Sequence, residues 1–115
     1  MTLDPNCIFC KIIEGQIPAE IIYRNENVLA FNALNPQAPT HVLISPTLHA
    51  ENAAAVAAIS PTIIAAMHRA ADEIAAEKGL TGYRTVFNTG ADAGQSFFHA
   101  HLHLLGGRVL AWPPG

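Results

Sequence analysis

Apolar residues recur four apart near the start of the chain, Ile8 with Ile12 and Phe9 with Ile13, which predicts a short helix stopped at Gly15. The pattern then changes period. Past Pro18, Ile21–Arg24 is β-rich, Asn25–Asn27 has turn chemistry and Val28–Phe31 follows, so these segments predict a hairpin. Prolines within Asn35–Pro39 interrupt the chain, because proline gives a ladder no N–H, and His41–Ser45 predicts a third strand ending at Pro46. Residues 50–79 are Ala-rich and helical in pattern. Ser60 and Pro61 supply a cap and a first-turn residue, Gly79 a stop, and Ile63, Met67, Ala70 and Ile74 an apolar stripe for the core. Roughly 18 residues rising 1.5 Å each give about 27 Å of helix, enough to cover one face of a small sheet. Tyr83–Asn88 predicts a fourth strand, Thr89–Gln95 a loop, and Phe97–Leu105 a fifth strand before a tail over 106–115. The order predicts an α+β fold over 1–115: a five-stranded antiparallel sheet with one long helix and a short N-terminal helix.

Composition narrows the function. The 115 residues suit one domain; 50% are hydrophobic and 13% charged, which excludes a disordered chain. No apolar run reaches the roughly 18 residues of a membrane helix, so no membrane partner is expected. Six Lys and Arg against nine Asp and Glu give a net charge of −3, which disfavours polymeric nucleic acid but not a small phosphate ligand. Cys7 and Cys10 are too few for a disulfide framework and no export signal precedes them, so the expected location is cytoplasmic.

Histidine is the unusual entry, with six residues equalling Lys and Arg combined. In a strand, His99, His101 and His103 share one face while Phe98, Ala100, Leu102 and Leu104 share the other. A helix would turn His101 away from its neighbours. Burying a row of imidazoles costs desolvation, so the row points to chemistry: a metal that activates water, or a nucleophilic imidazole. The preceding loop favours phosphorus chemistry. Asn88, Gly90, Gly94, Gln95 and Ser96 bring an amide, a hydroxyl and closely approaching backbone N–H groups to the edge of the row. His68, on the long helix, reads as an ordinary surface or boundary residue.

The segment His99–Leu105 resembles the His-x-His-x-His-x-x pattern of the histidine triad (HIT) superfamily. The likeness runs through Pro36–His41, Gly94–Ser96 and Trp112–Gly115, nearly the whole chain, and the Trp-Pro-Pro-Gly ending points to the nucleotide-binding Hint branch. It implies a homodimer whose sheets join, with 106–115 reaching toward the partner, and a purine nucleoside phosphoramidase working through a nucleotidyl-histidine. His101 would be the nucleophile, and His103 would contact phosphate and leaving group. His41 would sit behind them, helping to set the nucleophile's tautomer. Ser96 would join the catalytic set, with Asn88, Gly94 and Gln95 lining the phosphate pocket. Ile8, Phe9, Ile12, Phe31 and Leu34 would wall the purine of a nucleoside monophosphate or phosphoramidate, and Trp112 would reach the partner's site.

One position departs from the family pattern. Where relatives usually carry an Asp for the ribose hydroxyls, this chain has Ala33 beside Asn32, so ribose recognition weakens or shifts to Asn32. Cys7-x-x-Cys10, weak alone, gains His49 and His99 as candidate partners, and the resemblance implies structural zinc on these four. Two other functions compete. One is a nucleotide- or partner-binding module with weak catalysis. The other is a zinc hydrolase on the three strand histidines, which leaves the Gly94–Ser96 segment and the cysteine pair unexplained.

Overall fold

The computed structural model describes residues 3–115. Helix α1 spans Ile8–Ile13, strands β1 and β2 span Ile21–Arg24 and Val28–Asn32, and β3 spans Thr40–Pro46. Helices α2 (Ala53–Ile59) and α3 (Pro61–Glu77) follow, then β4 (Tyr83–Val86), a 3₁₀ turn at Ala91–Ala93, and β5 (Leu102–Gly106). The strands form one antiparallel sheet in the order β1-β2-β3-β5-β4, so the α2–α3 excursion carries the chain from β3 past β5 to the far edge.

Alternation along β2 and β3 divides the core. Val28, Ala30, Val42 and Ile44 face α3 with Leu102 and Leu104, packing on Ile63, Met67, Ala70 and Ile74. Leu29 and Phe31 face the other side, against Phe9, Ile12 and Ile13 of α1. The predicted stripe is thus core, and β2 is buried on both faces over Val28–Phe31.

The long helix starts at Pro61, as the Ser60–Pro61 pair predicts: Ser60 is extended (φ −157°, ψ 102°) because a residue before proline is driven out of the helical region, and the Ala-rich stretch ahead of it forms the separate α2. The Ser60 hydroxyl makes no capping bond, whereas Asn52 caps α2 by accepting from the Ala55 N–H at 2.9 Å. The fifth strand begins at Leu102 rather than Phe97. Ahead of it the chain is tied to the α2 approach, with the Ala100 N–H donating to the Ala50 carbonyl at 2.8 Å. Ala100 keeps its place under α3, but Phe98 is exposed.

Candidate active site and metal cluster

The sheet face opposite α3 carries the histidines. In the β3–β5 register His103 pairs with Leu43 and His41 with Leu105, so the two imidazoles are diagonal neighbours on one face. Their rings meet through His41 Nε2 and His103 Nδ1 at 2.9 Å. Backbone geometry fixes the protons. The Gln37 N–H donates to His41 Nδ1 at 3.0 Å, so His41 carries its proton on Nε2 and donates to His103 Nδ1. His103 therefore presents Nε2–H.

His101 is set the opposite way. Its Nδ1 lies 2.7 Å from the His99 carbonyl, which can only accept, so His101 holds its proton there and keeps a bare Nε2 lone pair. The expectation that His41 sets the nucleophile's tautomer is corrected: His41 governs His103, and a main-chain carbonyl governs His101. Burial pushes the pKa of all three below the usual histidine value, His103 to about 4 with further repulsion from His101 and His41. All three are neutral at physiological pH.

These groups open onto a cavity of about 460 Å³. Ile8, Phe9, Ile12, Ala33, Leu34, Leu43 and Phe97 line its apolar part, and Asn35, His41, Asn88, Gly94, Ser96, His101 and His103 its polar part. Gly94 holds a positive φ of 96°, which places backbone at this wall where a side chain would be strained. Asn35, Leu43 and Phe97 went unread in the sequence; Leu43 shares a strand face with His41, and that alternation could have found it. Larger open grooves lie elsewhere, one of about 610 Å³ between 79–84 and 107–110, whose lining among the described residues has no histidine, cysteine or carboxylate.

Several expected pocket residues stand outside it. Gln95 is buried, and its amide is spent on backbone: Oε1 accepts from the Gly90 N–H at 2.8 Å, and Nε2 donates to the Glu51 and Phe97 carbonyls at 2.7 and 3.1 Å. It braces the loop rather than lining the cavity. Phe31 packs behind Phe9, with ring centroids 5.8 Å apart. The Asn32 amide donates to Glu20 at 2.8 Å, away from the cavity lining. Trp112, expected at a partner's site rather than at this pocket, is exposed in the tail.

His99 leaves the row for a different site. Cys7, Cys10, His49 and His99 bring one ligand atom each within 4.8 Å of one another. Sγ of Cys7 lies 3.4 Å from His99 Nδ1, Sγ of Cys10 lies 3.4 Å from His49 Nδ1 and 3.6 Å from His99 Nδ1, and the two Nδ1 atoms are 3.2 Å apart. A tetrahedron with zinc bonds of about 2.3 Å to sulfur and about 2.0–2.1 Å to nitrogen requires S···N edges of about 3.5 Å and an N···N edge of about 3.3 Å. The residues fit a closed Cys₂His₂ site.

The surroundings match. Ser45 donates its hydroxyl to the Pro46 carbonyl at 2.8 Å and so accepts from His99 Nε2–H at 2.9 Å, leaving the Nδ1 lone pair for the cluster. Burial pushes the Cys10 thiol up to about 11, so its thiolate form needs a cation. Ser45, on the strand face of His41, orients a cluster histidine and went unread in the sequence. With His99 committed to the thiols, the three strand histidines do not converge on one metal, which overturns the reading as a zinc hydrolase on that row.

A single antiparallel sheet with opposed imidazole tautomers over a half-apolar cavity, beside a separate thiol–imidazole cluster, defines a histidine-based α+β domain. Residues 6–109 match the family described as "Scavenger mRNA decapping enzyme C-term binding". A HIT-like protein of Synechococcus elongatus is 46% identical over 98% of this chain and all of its own length. The "14 kDa zinc-binding protein" of Zea mays is 44% identical, covering 97% of this chain and 90% of its own. The crystal structure of a HIT family hydrolase from Legionella pneumophila superposes with a TM-score of 0.91 at 46% identity, covering 96% of this chain and 100% of that one. The chain belongs to the histidine triad superfamily.

Proposed function

We propose that the protein is a nucleotide-binding hydrolase that cleaves the P–N bond of purine nucleoside 5′-phosphoramidates. The observation that carries this reading is the opposed tautomers of His101 and His103 at one cavity wall. His101 Nε2 attacks the α-phosphorus, forming a P–N bond to the imidazole as the bond to the leaving amine breaks. His103 Nε2–H donates to the phosphoryl oxygen and leaving nitrogen, and His41 behind it supports the proton shift. Water then attacks the nucleotidyl-histidine, releasing nucleoside monophosphate and restoring the neutral imidazole. Ser96, the Asn88 amide and backbone at Gly94 border the phosphoryl end, where charge develops. Phe9, Ile8, Ile12 and Leu34 offer an apolar face of a kind suited to a purine.

Zinc on Cys7, Cys10, His49 and His99 would supply a structural cross-link between α1, the β3–α2 connection and the approach to β5. The zinc-binding name of the Zea mays relative supports that choice of metal. A homodimer fits the open outer edge of β4 and the exposed Trp112, which would reach the partner's pocket. No described helix is long and apolar enough to cross a membrane.

A fluorogenic adenosine 5′-phosphoramidate tests the reaction. Wild-type protein is expected to turn it over and His101→Ala to lose at least about 10³-fold in kcat; equal turnover by the variant would overturn the assignment. Ala33 favours a second reading, a binding module with weak catalysis, because a methyl group lines the cavity and accepts no hydrogen bond from a sugar. Nucleotide binding without turnover by the wild type would select it.

A further inference from the structure

Phe9 belongs to two sites at once. It lies between Cys7 and Cys10 in the sequence, and it lines the cavity with Ile8 and Ile12. Its ring stacks on His99 at 5.3 Å and on His101 at 4.7 Å. His99 is shared in the same way. Its Nδ1 faces the thiols, while its carbonyl oxygen holds the Nδ1–H of His101. Helix α1 is six residues long, too short to persist on its own helical hydrogen bonds, so its position depends on what holds it to the body. Its C-terminal end is held by Ile12 and Ile13 packing on Leu29 and Phe31 and by the Arg24 guanidinium donating to the Ile13 carbonyl at 3.1 Å. Its N-terminal end has the cluster.

We infer that the Cys₂His₂ cluster is a positioning device for the histidine pocket: a metal bound there fixes the His99 main chain and the seating of α1, and through them the tautomer of His101 and the Phe9 wall. His99 and Phe9 are then positioning residues, one acting through its carbonyl and the other through its ring. The inference rests on the metal occupancy proposed above, not on the phosphoramidate chemistry. The S···N separations of 3.4–3.6 Å match the edges of a metal tetrahedron, and weak thiol–imidazole hydrogen bonds would hold these side chains less firmly than metal bonds do. Exchange with solvent has a route. Cys7 and His49 line an open groove of about 550 Å³ outside the cavity, bordered by Asp4 and Glu51. Pocket order would thereby follow metal supply.

The test compares zinc-loaded protein with protein stripped by chelator under reducing conditions, after metal content is measured. Imidazole ¹⁵N spectra report the tautomer of His101, and amide hydrogen exchange reports α1 and the sheet separately. The loaded protein is expected to show one neutral His101 tautomer with the proton on Nδ1. Stripping is expected to average the two nitrogen shifts and to speed exchange at Phe9–Ile13 at least tenfold, with β2 and β3 changed less than twofold. An unchanged His101 tautomer and unchanged α1 exchange would overturn the inference. Global unfolding on stripping would overturn it too, since the metal would then staple the whole fold. Purified protein with no zinc would overturn it through the occupancy reading, a failure distinct from the other two.

Discussion

His41 and His103 share one proton path, and their burial gives the protein a calculable response to acid. Burial, then repulsion from His101 and His41, holds His103 at about 4, and burial also lowers His41. In the unfolded chain both return to about 6.5. Between those values the unfolded state binds more protons, so stability rises with pH; it is full above about 6.5 and is lost as pH falls toward 4. Thermal melts are expected to show a lower Tm at pH 5 than at pH 7.5, with a smaller drop in His103→Asn; the same drop in that variant would rule out His103 as a contributor. Ala33 carries the other prediction at this scale. Ala33→Asp places an acceptor at the cavity wall and is expected to tighten nucleoside monophosphate binding at least about tenfold by titration calorimetry, one charged hydrogen bond being worth about 1.5–3 kcal/mol. Alternation in His99–His103 placed His101 and His103 together and the family resemblance supplied their roles, but the tautomers were legible in neither. They depend on the Gln37 N–H and the His99 carbonyl, main-chain groups whose directions residue types do not encode.

The loop from Thr89 to Gln95 works because one side chain replaces the missing backbone ladder. Gln95 satisfies three main-chain groups at once, so Gln95→Ala would orphan them and is expected to cost about 1–3 kcal/mol in a denaturant titration. A change below 0.5 kcal/mol would show that water replaces those bonds. Periodicity could not reveal this role, since loop side chains have no period, and an amide beside glycines reads equally well as a ligand group or a brace. The same limit explains β5. Alternation correctly divided Ala100, Leu102 and Leu104 from the histidines, yet a strand needs a partner, and Phe97–His101 lies ahead of the β3 and β4 pairings. The start of α3 at Pro61 was legible in the sequence, because Pro61 restricts the residue before it.

At the scale of the whole molecule, α3 covers one face of the sheet while α1, the pocket and the cluster occupy the other. Stability and chemistry are thus carried by opposite faces of the same strands. The far edge is open at β4, and the tail beside it is tied by the Arg84 guanidinium donating to the Ala111 carbonyl at 3.1 Å. Light scattering is expected to return twice the 12.2 kDa chain mass, and a monomeric mass at micromolar concentration would remove the shared-sheet dimer. The α+β class and the five antiparallel strands were legible in the sequence, and the four cluster residues through the family resemblance. The tail was read only through the resemblance, because a segment with few contacts to its own domain leaves no periodic trace; its Trp112 is exposed.

The interval between Cys7 and Cys10 also sets an angle. Because each helical residue turns the chain by about 100°, one inserted residue between the thiols would swing the Phe9 ring off both imidazoles even if the sulfurs found their places again. Length variation in that interval should therefore be tolerated by chelation alone and rejected by the pocket.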